Sequence, residues 1–286
     1  MARPAVSMLS AAAVSWFEPD WPAPASVRAL FTTRHGGLSE SPWDTLNLGA
    51  HVGDRPEHVA QNRALLQSEV RERGGGELVF LNQVHGCDVL DVDACAGSLP
   101  VQGQAADGSI TGRPGRALVM MVADCLPVLI TDRSGRRVGA FHAGWRGLAG
   151  GQGRGILESA VEAFARACPT SPALPASDLL VWLGPCIGPS AFEVGADVLK
   201  AFGVDPDEAH PRFAARPPHA GEAAPRWLAD LAGLARDRLA ALRLVDDHIG
   251  GGRWCTVSAP SRFFSFRRDA GRTGRQAACI WLERRS

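Results

Sequence analysis

Three apolar segments that predict strands each adjoin a side chain that can bind a soft metal. These side chains are His85, Cys125 and His142. Two imidazoles and one thiolate suit zinc, and three protein ligands leave a fourth position open for water or substrate. Such an open site is catalytic in type, because zinc lowers the pKa of its bound water to about 7. Their spacing matches no local metal signature, so three unconnected residues at strand ends are the alternative interpretation.

The same residues also fit a cysteine nucleophile. Cys125, His142 and Asp124 would supply a thiolate–imidazole pair with an adjacent carboxylate. The sequence alone does not separate this arrangement from a zinc site.

Several other chemistries are excluded by residues that the chain lacks. Lys200 is the only lysine and precedes Ala201, so the chain has no Walker A loop. Pro185-Cys186 lacks the second cysteine of a cytidine-type zinc deaminase, and no His-x-Glu occurs. A multicopper oxidase needs about ten paired histidines. The eight histidines here are dispersed, with no two within two residues of each other.

Two arginine-containing segments suggest an anion or small-molecule site. Arg34 and Ser39 flank a glycine turn whose amides and guanidinium could hold phosphate. Arg262 lies in the segment 261–269, which mixes arginine with phenylalanine and is typical of a small-ligand wall or of core packing. Turn chemistry with solvated arginines is the alternative for the first segment. The segment 150–155 is a weak match to a dinucleotide loop.

Composition restricts the partners and the compartment. The 286 residues allow one large domain or two ordinary ones, and 45% of them are hydrophobic. The net charge is zero, which argues against nucleic acid or a membrane surface as a partner. Seven dispersed cysteines indicate free thiols in a reducing compartment, so we expect a cytoplasmic protein. No segment approaches the ~20 apolar residues of a membrane span, and we expect a monomer or homodimer.

The pattern of elements predicts a single α+β domain, with a mixed β-sheet flanked by helices, over residues 27–286. Residues 1–26 are interpreted as a loose lead-in. Asp54 is the expected cap of the first helix. The predicted helices are 56–71, 156–167, 194–202 and 226–242, and 205–225 is an exposed excursion. The predicted strands are 27–33, 78–81, 88–92, 117–122, 127–131, 137–142, 179–183, 256–259, 264–267 and 276–282.

Seven motifs occur in an order that resembles a known family. They are Thr33-Arg34-x-Gly36-Gly37, Asn47-Leu48, Asn82-Gln83-Val84-His85, Ala123-Asp124-Cys125-x-Pro127, His142-Ala143-Gly144-Trp145-Arg146-Gly147, Gly184-Pro185-x-Ile187-Gly188 and Phe264-Ser265-x-Arg267-Arg268-Asp269. The chain resembles the laccase-domain purine nucleoside phosphorylase family, long labelled multicopper polyphenol oxidoreductase. The resemblance extends over nearly the whole chain, and its His-Ala-Gly-Trp-Arg-Gly block is highly specific.

The resemblance implies a zinc site with His85, Cys125 and His142 as ligands, with copper as the alternative metal. It also implies phosphorolysis of adenosine, inosine, guanosine and methylthioadenosine, together with adenosine deamination. The substrates would then be a purine nucleoside and phosphate. Relatives often have tyrosine where this chain has Phe192 and Phe266, so any hydrogen bond from a phenol is absent at those positions.

Roles for individual residues follow as hypotheses. Arg34, with Ser39 or Arg146, would hold phosphate, and Arg262 would contact substrate. Asn47 and Gln83 would orient the ribose or the base. Asp124 would carry a proton during deamination.

Three other functions stay open at this point. Some bacterial members of the family are linked to the editing of peptidoglycan precursors, so a hydrolase with the same pocket is the principal alternative. A laccase-like copper oxidoreductase and a non-catalytic binding module are the others. Substrate specificity and the effect of replacing His85 or His142 would distinguish them.

Overall fold

The computed structural model describes residues 14–94, 102–166, 173–217 and 224–283. The strands are β1 (Trp16–Phe17), β2 (Val27–Thr32), β3 (Glu77–Phe80), β4 (Val89–Asp91), β5 (Gly108–Thr111), β6 (Arg116–Val122), β7 (Leu126–Asp132), β8 (Val138–Ala143), β9 (Leu179–Leu183), β10 (Glu193–Val194), β11 (Phe213–Arg216), β12 (Arg226–Ala229), β13 (Ile249–Gly251) and β14 (Gln276–Leu282). The α-helices are α1 (Pro56–Glu72), α2 (Trp145–Ala149), α3 (Ile156–Ala165), α4 (Ala196–Ala201) and α5 (Leu231–Ala241).

Two mixed sheets pack against each other. The first sheet has the order β1-β2-β14-β6-β3, and only its β3–β6 pair is parallel. The second sheet has the order β13-β9-β7-β8-β5-β4, with parallel pairs at both ends. A small third sheet has the order β10-β12-β11. The chain passes from the first sheet to the second between β6 and β7, at residues 123–125.

The alternation of side chains along β6 explains the layering, because successive residues of a strand face opposite sides of its sheet. Leu118, Met120 and Val122 lie in the core between the two sheets, together with Val138 and Ala140 of β8. The intervening residues of β6 pack under α1; they are Ala117, Val119 and Met121, and they meet Leu66 and Val70. The outer face of the second sheet is covered by α3 and α5. The result is a four-layered arrangement of helix, sheet, sheet and helix.

The predicted α+β class is confirmed, but the prediction of one sheet is wrong, since the strands divide between two large sheets and a small one. The predicted helix 226–242 also differs from the structure. Residues 226–229 form β12, which pairs with β10 and β11. The helix starts only after Asp230, whose side chain accepts a hydrogen bond from the Gly233 amide at 2.9 Å and caps the helix.

Other predicted element bounds also differ from the structure. Val194 belongs to β10, so α4 starts at Ala196, and β11 lies within the predicted excursion 205–225. The predicted strands 256–259 and 264–267 are turns and irregular segments in the structure. At Phe264 the backbone amide and carbonyl are satisfied by the side chain of Gln276 instead of by a neighbouring strand.

The structure also differs from two other predictions, the loose lead-in at 1–26 and the cap of the first helix. Trp16–Phe17 pairs with β2, so the described part of the lead-in belongs to the first sheet. Arg55 is the N-cap residue of α1 and makes no side-chain cap, whereas the Asp54 side chain accepts bonds from Ser39 and Asn47. Among the helices of the described residues, none has the length and apolar composition that a membrane span requires.

Candidate metal centre

The structure brings His85, Cys125 and His142 together at the boundary between the two sheets. His85 lies in the loop after β3, Cys125 directly precedes β7, and His142 lies in β8. One ligand atom from each residue lies within 4.8 Å of the other two. The Sγ of Cys125 is 3.8 Å from Nε2 of His85. The two imidazole rings are 4.7 Å apart between centroids and nearly perpendicular.

The buried carboxylate of Asp107 organises two of these three side chains. Its Oδ1 accepts hydrogen bonds from Nδ1 of His142 at 2.7 Å and from the His85 amide at 2.9 Å. Its Oδ2 accepts from the amides of Val84 and Gly86 at 3.0 and 2.7 Å. A histidine that donates Nδ1–H to a carboxylate keeps Nε2 free for a metal. Asp107 therefore fixes both the His85 loop and the tautomer of His142.

No local pattern in the sequence points to Asp107. The residue immediately precedes β5, and it meets His142 only because β5 pairs with β8. A contact created by the pairing of strands distant in the chain has no short-range motif.

Electrostatics favour the ligating form of the thiol in the metal-free site. Burial opposes ionisation of Cys125, but the charge of His142 and hydrogen bonds from His142 and His85 outweigh it and lower the pKa of the thiol to about 6. Burial likewise opposes protonation of His142, but Cys125 and Asp107 raise its pKa to about 9. Both shifts favour a thiolate at Cys125 and an imidazolium at His142. A metal bound there would take the place of the imidazolium proton.

Glycine at position 144 leaves space for the three side chains. A Cβ at Gly144 would lie 2.9 Å from Cδ2 of His85 and 3.1 Å from Sγ of Cys125. A Cβ at Gly147 would lie 2.7 Å from the carbonyl of Gly86, so the His85 loop packs directly on α2. The two glycines of the His-Ala-Gly-Trp-Arg-Gly block therefore allow α2 to start beside the ligands.

Asp124 holds the turn that presents Cys125. Its backbone has a φ of 91°, in the left-handed region. Its carboxylate accepts bonds from the Thr256 hydroxyl and the Arg267 amide, both at 2.6 Å. Its carbonyl accepts from the Ile187 amide at 2.8 Å. Both carboxylate oxygens are therefore engaged with neighbouring loops, and they fix the position of the next residue.

A cavity of about 440 Å³ opens beside the three metal-binding side chains. This volume lies in the range of small-molecule sites. One part of its wall is apolar and comprises Trp145, Ile187, Phe192 and Leu231. Another part is basic and comprises His51, Arg146, Arg267 and Arg275. The cavity thus combines donors for a metal, apolar surfaces for a flat ring and charges for an anion.

Of the residues proposed from the sequence, six line this cavity. They are Gln83, His85, Asp124, Cys125, His142 and Arg146. The guanidinium of Arg146 lies 4.3 Å from the Trp145 ring centroid. The Gln83 amide pairs with the backbone of Met121, donating to its carbonyl at 2.8 Å and accepting from its N–H at 2.9 Å. These bonds fix the Gln83 side chain against β6.

Arg34 does not line this cavity. Its Nε and Nη2 donate to the carbonyl and carboxylate of Asp44, and its Nη1 donates to the Pro260 carbonyl. It borders a separate cavity of about 410 Å³ with Asp44, Asp269 and Arg272. Each of the three guanidinium nitrogens of Arg34 therefore already donates a hydrogen bond to an oxygen atom of the protein.

Ser39, Asn47 and Arg262 also lie outside the cavity beside the metal-binding side chains. Ser39 and Asn47 are buried and both donate to Asp54. Asn47 additionally accepts from the backbone amide of Arg275 at 2.9 Å, which connects it to the cavity wall. Arg262 stacks among aromatic rings, 4.2 Å from the Trp254 centroid.

Four further residues line the cavity although sequence reasoning did not select them: His51, Trp145, Arg267 and Arg275. Trp145 and Arg267 stand within the seven motifs, and Trp145 is adjacent to the selected Arg146. Arg275 precedes β14, whose place beside β6 follows from pairing across the chain.

The layered fold and the three-donor site define a family. The family model described as "Multi-copper polyphenol oxidoreductase laccase" matches residues 28–283. The chain belongs to this family, and the resemblance noted from its motifs is confirmed.

The similar proteins include several named purine nucleoside phosphorylases. The chain is 46% identical over 269 residues to one from Pseudomonas aeruginosa, which covers 94% of this chain and 99% of that protein. It is 43% identical to YfiH of Escherichia coli, a protein also named purine nucleoside phosphorylase, with 92% and 97% covered. A crystal structure from Neisseria meningitidis superposes with a TM-score of 0.79 at 40% identity, covering 94% of this chain and all of that one. YlmD of Geobacillus stearothermophilus superposes with a TM-score of 0.78 at 32% identity, covering 94% and 97%.

Proposed function

We propose that the protein is a zinc-dependent purine nucleoside phosphorylase. The observation that supports this most directly is the combination of a His-Cys-His donor group with a cavity that is apolar in one part and basic in another. The names of the relatives from P. aeruginosa and E. coli favour the same activity. The substrates in this proposal are adenosine, inosine, guanosine and methylthioadenosine, with inorganic phosphate as the second substrate.

The donor group fits a single zinc ion. His85, Cys125 and His142 would hold it, Asp107 orients His142, and Gly144 leaves space. Bound zinc would act as a Lewis acid and lower the pKa of a bound water. In the described part of the chain this is the one group of three such donors found together, which favours one metal ion over the several copper ions of a multicopper oxidase.

Phosphorolysis makes two demands on the cavity. A phosphate oxygen bonds to C1′ of the ribose while the bond from C1′ to the purine nitrogen breaks, and the electron pair leaves with the purine, which takes up a proton. The phosphate needs cationic contacts, and the purine needs a flat apolar surface. Arg146, Arg267 and Arg275 supply the first, and Trp145 and Phe192 supply the second.

The same cavity supports deamination of adenosine as a second activity. In that reaction the oxygen of water replaces the amino group at C6, and ammonia is released. An open three-ligand metal site suits the activation of water. Asp124, with both carboxylate oxygens hydrogen-bonded by the protein, has a positioning role for Cys125 in this proposal.

A reducing, cytoplasmic location is part of the proposal. It is supported by the five described cysteines, which are all free thiols, and by the need for a thiol at Cys125.

Product chromatography tests the proposal. Purified, zinc-loaded protein is incubated with adenosine, with and without phosphate. We expect adenine and ribose 1-phosphate only when phosphate is present, and inosine in both cases. Cys125→Ser should abolish both activities and zinc retention, while Cys279→Ser, at a buried thiol in β14, is the control that keeps them. No turnover of any of the four nucleosides by zinc-loaded protein would refute the proposed function.

A further inference from the structure

The basic part of the cavity wall contains guanidinium groups without acidic partners. Arg146, Arg267 and Arg275 form no ion pair with a carboxylate in the ranges that the structure describes. Asp124 also lines the cavity, but the Thr256 hydroxyl and the Arg267 amide occupy its oxygens. The wall therefore presents positive charge that the protein does not neutralise by ion pairing.

Arg275 is held more firmly than the other two. Its backbone amide donates to Oδ1 of Asn47, and its Nη1 donates to the carbonyls of Thr273 and Gly274 at 3.1 and 3.0 Å. Its stem packs on Gly49, where an added Cβ would lie 2.7 Å from Cγ of Arg275. These contacts fix the direction of the guanidinium before any ligand arrives.

The rest of the Arg275 guanidinium faces the cavity. In the described part of the chain its Nε and Nη2 have no hydrogen-bond acceptor, and neither is among the buried atoms that lack a partner. Burial lowers the pKa of Arg275, which shows that its charge is partly desolvated. The charges of Cys125 and Asp124 offset part of this desolvation, and an anion bound at the guanidinium would offset more of it.

His51 lies next to this guanidinium and to the metal-binding group. After burial, the charge of Arg275 is the largest cause that lowers the pKa of His51, and the charge of His85 also contributes. The imidazole is exposed in the cavity and makes no hydrogen bond in the described part of the chain. Arg275 and His51 thus offer several N–H donors at one place on the cavity wall.

We propose that Arg275 and His51 form an anion subsite that takes inorganic phosphate. The proposal rests on phosphorolysis as the proposed function, and it assigns the phosphate to this cavity instead of to Arg34. A guanidinium with two free N–H directions matches two oxygens of a phosphate, and a fixed guanidinium loses little entropy on binding. The indole and phenyl rings of Trp145 and Phe192 then remain for the purine.

The test compares Arg275→Gln and His51→Gln with Arg272→Gln. Arg272 is exposed, lies on the same loop as Arg275 and is outside this cavity. Steady-state kinetics give the KM for phosphate and the KM for inosine separately. We expect Arg275→Gln to raise the KM for phosphate about tenfold or more, as for loss of a charge-assisted hydrogen bond. His51→Gln should raise it less, and the KM for inosine should change less than about twofold in both variants. Arg272→Gln should match the wild type.

Calorimetric titration of the zinc-loaded protein with inorganic phosphate separates this proposal from the proposed function. If the wild type binds phosphate, Arg275→Gln does not and no nucleoside is cleaved, then the subsite stands and the phosphorylase proposal fails. If nucleoside is cleaved but both proteins bind phosphate equally, then the subsite is wrong. Should Arg275→Gln not fold, Arg275→Lys and His51→Gln carry the same test, because lysine keeps the charge but loses the two-pronged geometry. Unchanged phosphate KM in those two folded variants would also overturn the proposal.

Discussion

Replacing Asp107 with asparagine tests the central feature of the site. The two side chains have nearly the same shape, but the amide has one acceptor oxygen where the carboxylate has two. In the wild type each carboxylate oxygen accepts two hydrogen bonds, so the amide nitrogen of the variant must face two N–H donors. If the nitrogen faces His142, then Nδ1 of that ring has no acceptor and the tautomer with a free Nε2 loses its support.

The magnitude follows from this count of acceptors. Loss of the partner that orients a metal-binding histidine costs 10- to 100-fold in metal affinity, or about 1.4–2.8 kcal/mol. Each buried donor left without an acceptor costs about 1–3 kcal/mol of the free energy of unfolding. We therefore expect Asp107→Asn to bind zinc about 10- to 100-fold more weakly and to unfold at a lower temperature. A competing chelator dye measures the affinity, and thermal denaturation of the metal-free protein measures the stability.

Asp132→Asn is the matched control. Asp132 is also fully buried and accepts hydrogen bonds from the amides of Ser134, Arg136 and Arg137. It ends β7, the strand that Cys125 precedes, so the length of that strand, about 20 Å, separates it from the site. We expect this variant to lose stability but to bind zinc like the wild type. Equal zinc affinity for Asp107→Asn and the wild type would refute the assigned role of Asp107.

Three further predictions concern Gly144, the cysteine thiols and the buried Arg137. Gly144→Ala should fold, because φ at this position is −63°. Its added Cβ would press on His85 and Cys125, so the zinc content of the purified variant should fall. Gly151→Ala is the control that should retain zinc, because a Cβ at Gly151 meets no atom within 4 Å. In metal-free protein, iodoacetamide should modify Cys125 faster than Cys186 or Cys279, because the thiolate of Cys125 forms above a pKa of about 6 whereas burial raises the pKa of the other two thiols. Mass spectrometry locates the adduct, and bound zinc should protect Cys125. Faster labelling of Cys279 than of Cys125 would contradict the reasoning. Arg137→Met should lower the free energy of unfolding by about 3 kcal/mol, because the buried guanidinium donates to the carbonyls of Ala163, Phe164 and Arg166 at the end of α3. Urea denaturation measures this free energy. Arg136→Met, at a more exposed side chain, should lower it less.

The sequence located the metal-binding side chains because each stands in or beside a strand with a clear apolar pattern. The runs 117–122 and 127–131 correspond to β6 and β7, and they bracket Cys125. The helix predicted at 226–242 shows where the pattern misleads. Its first residues satisfy helical spacing, but pairing with β10 and β11 places them in a strand. Local periodicity does not reveal which backbone groups a distant strand will bind.

The residues that the sequence did not identify share this cause. Asp107 reaches His142 through the pairing of β5 with β8. Arg275 reaches the cavity because it directly precedes β14, which lies between β2 and β6. Arg34 illustrates the reverse case. Its place in a glycine turn suggested a free guanidinium, whereas Asp44 and the Pro260 carbonyl occupy it. Residue type and spacing therefore indicate candidates, and the long-range pairing decides which of them face the cavity.

The three metal-binding side chains come from both large sheets and from the connection between them, so neither sheet alone could form the site. His85 follows a strand of the first sheet, His142 lies in a strand of the second, and Cys125 lies where the chain passes from one to the other. Asp107 joins the His85 loop to His142 and so connects the two sheets by hydrogen bonds. A metal ion held by all three donors would add a second connection at the same boundary. Because such an ion binds only when both sheets are in place, its binding free energy adds to the stability of the packed sheets.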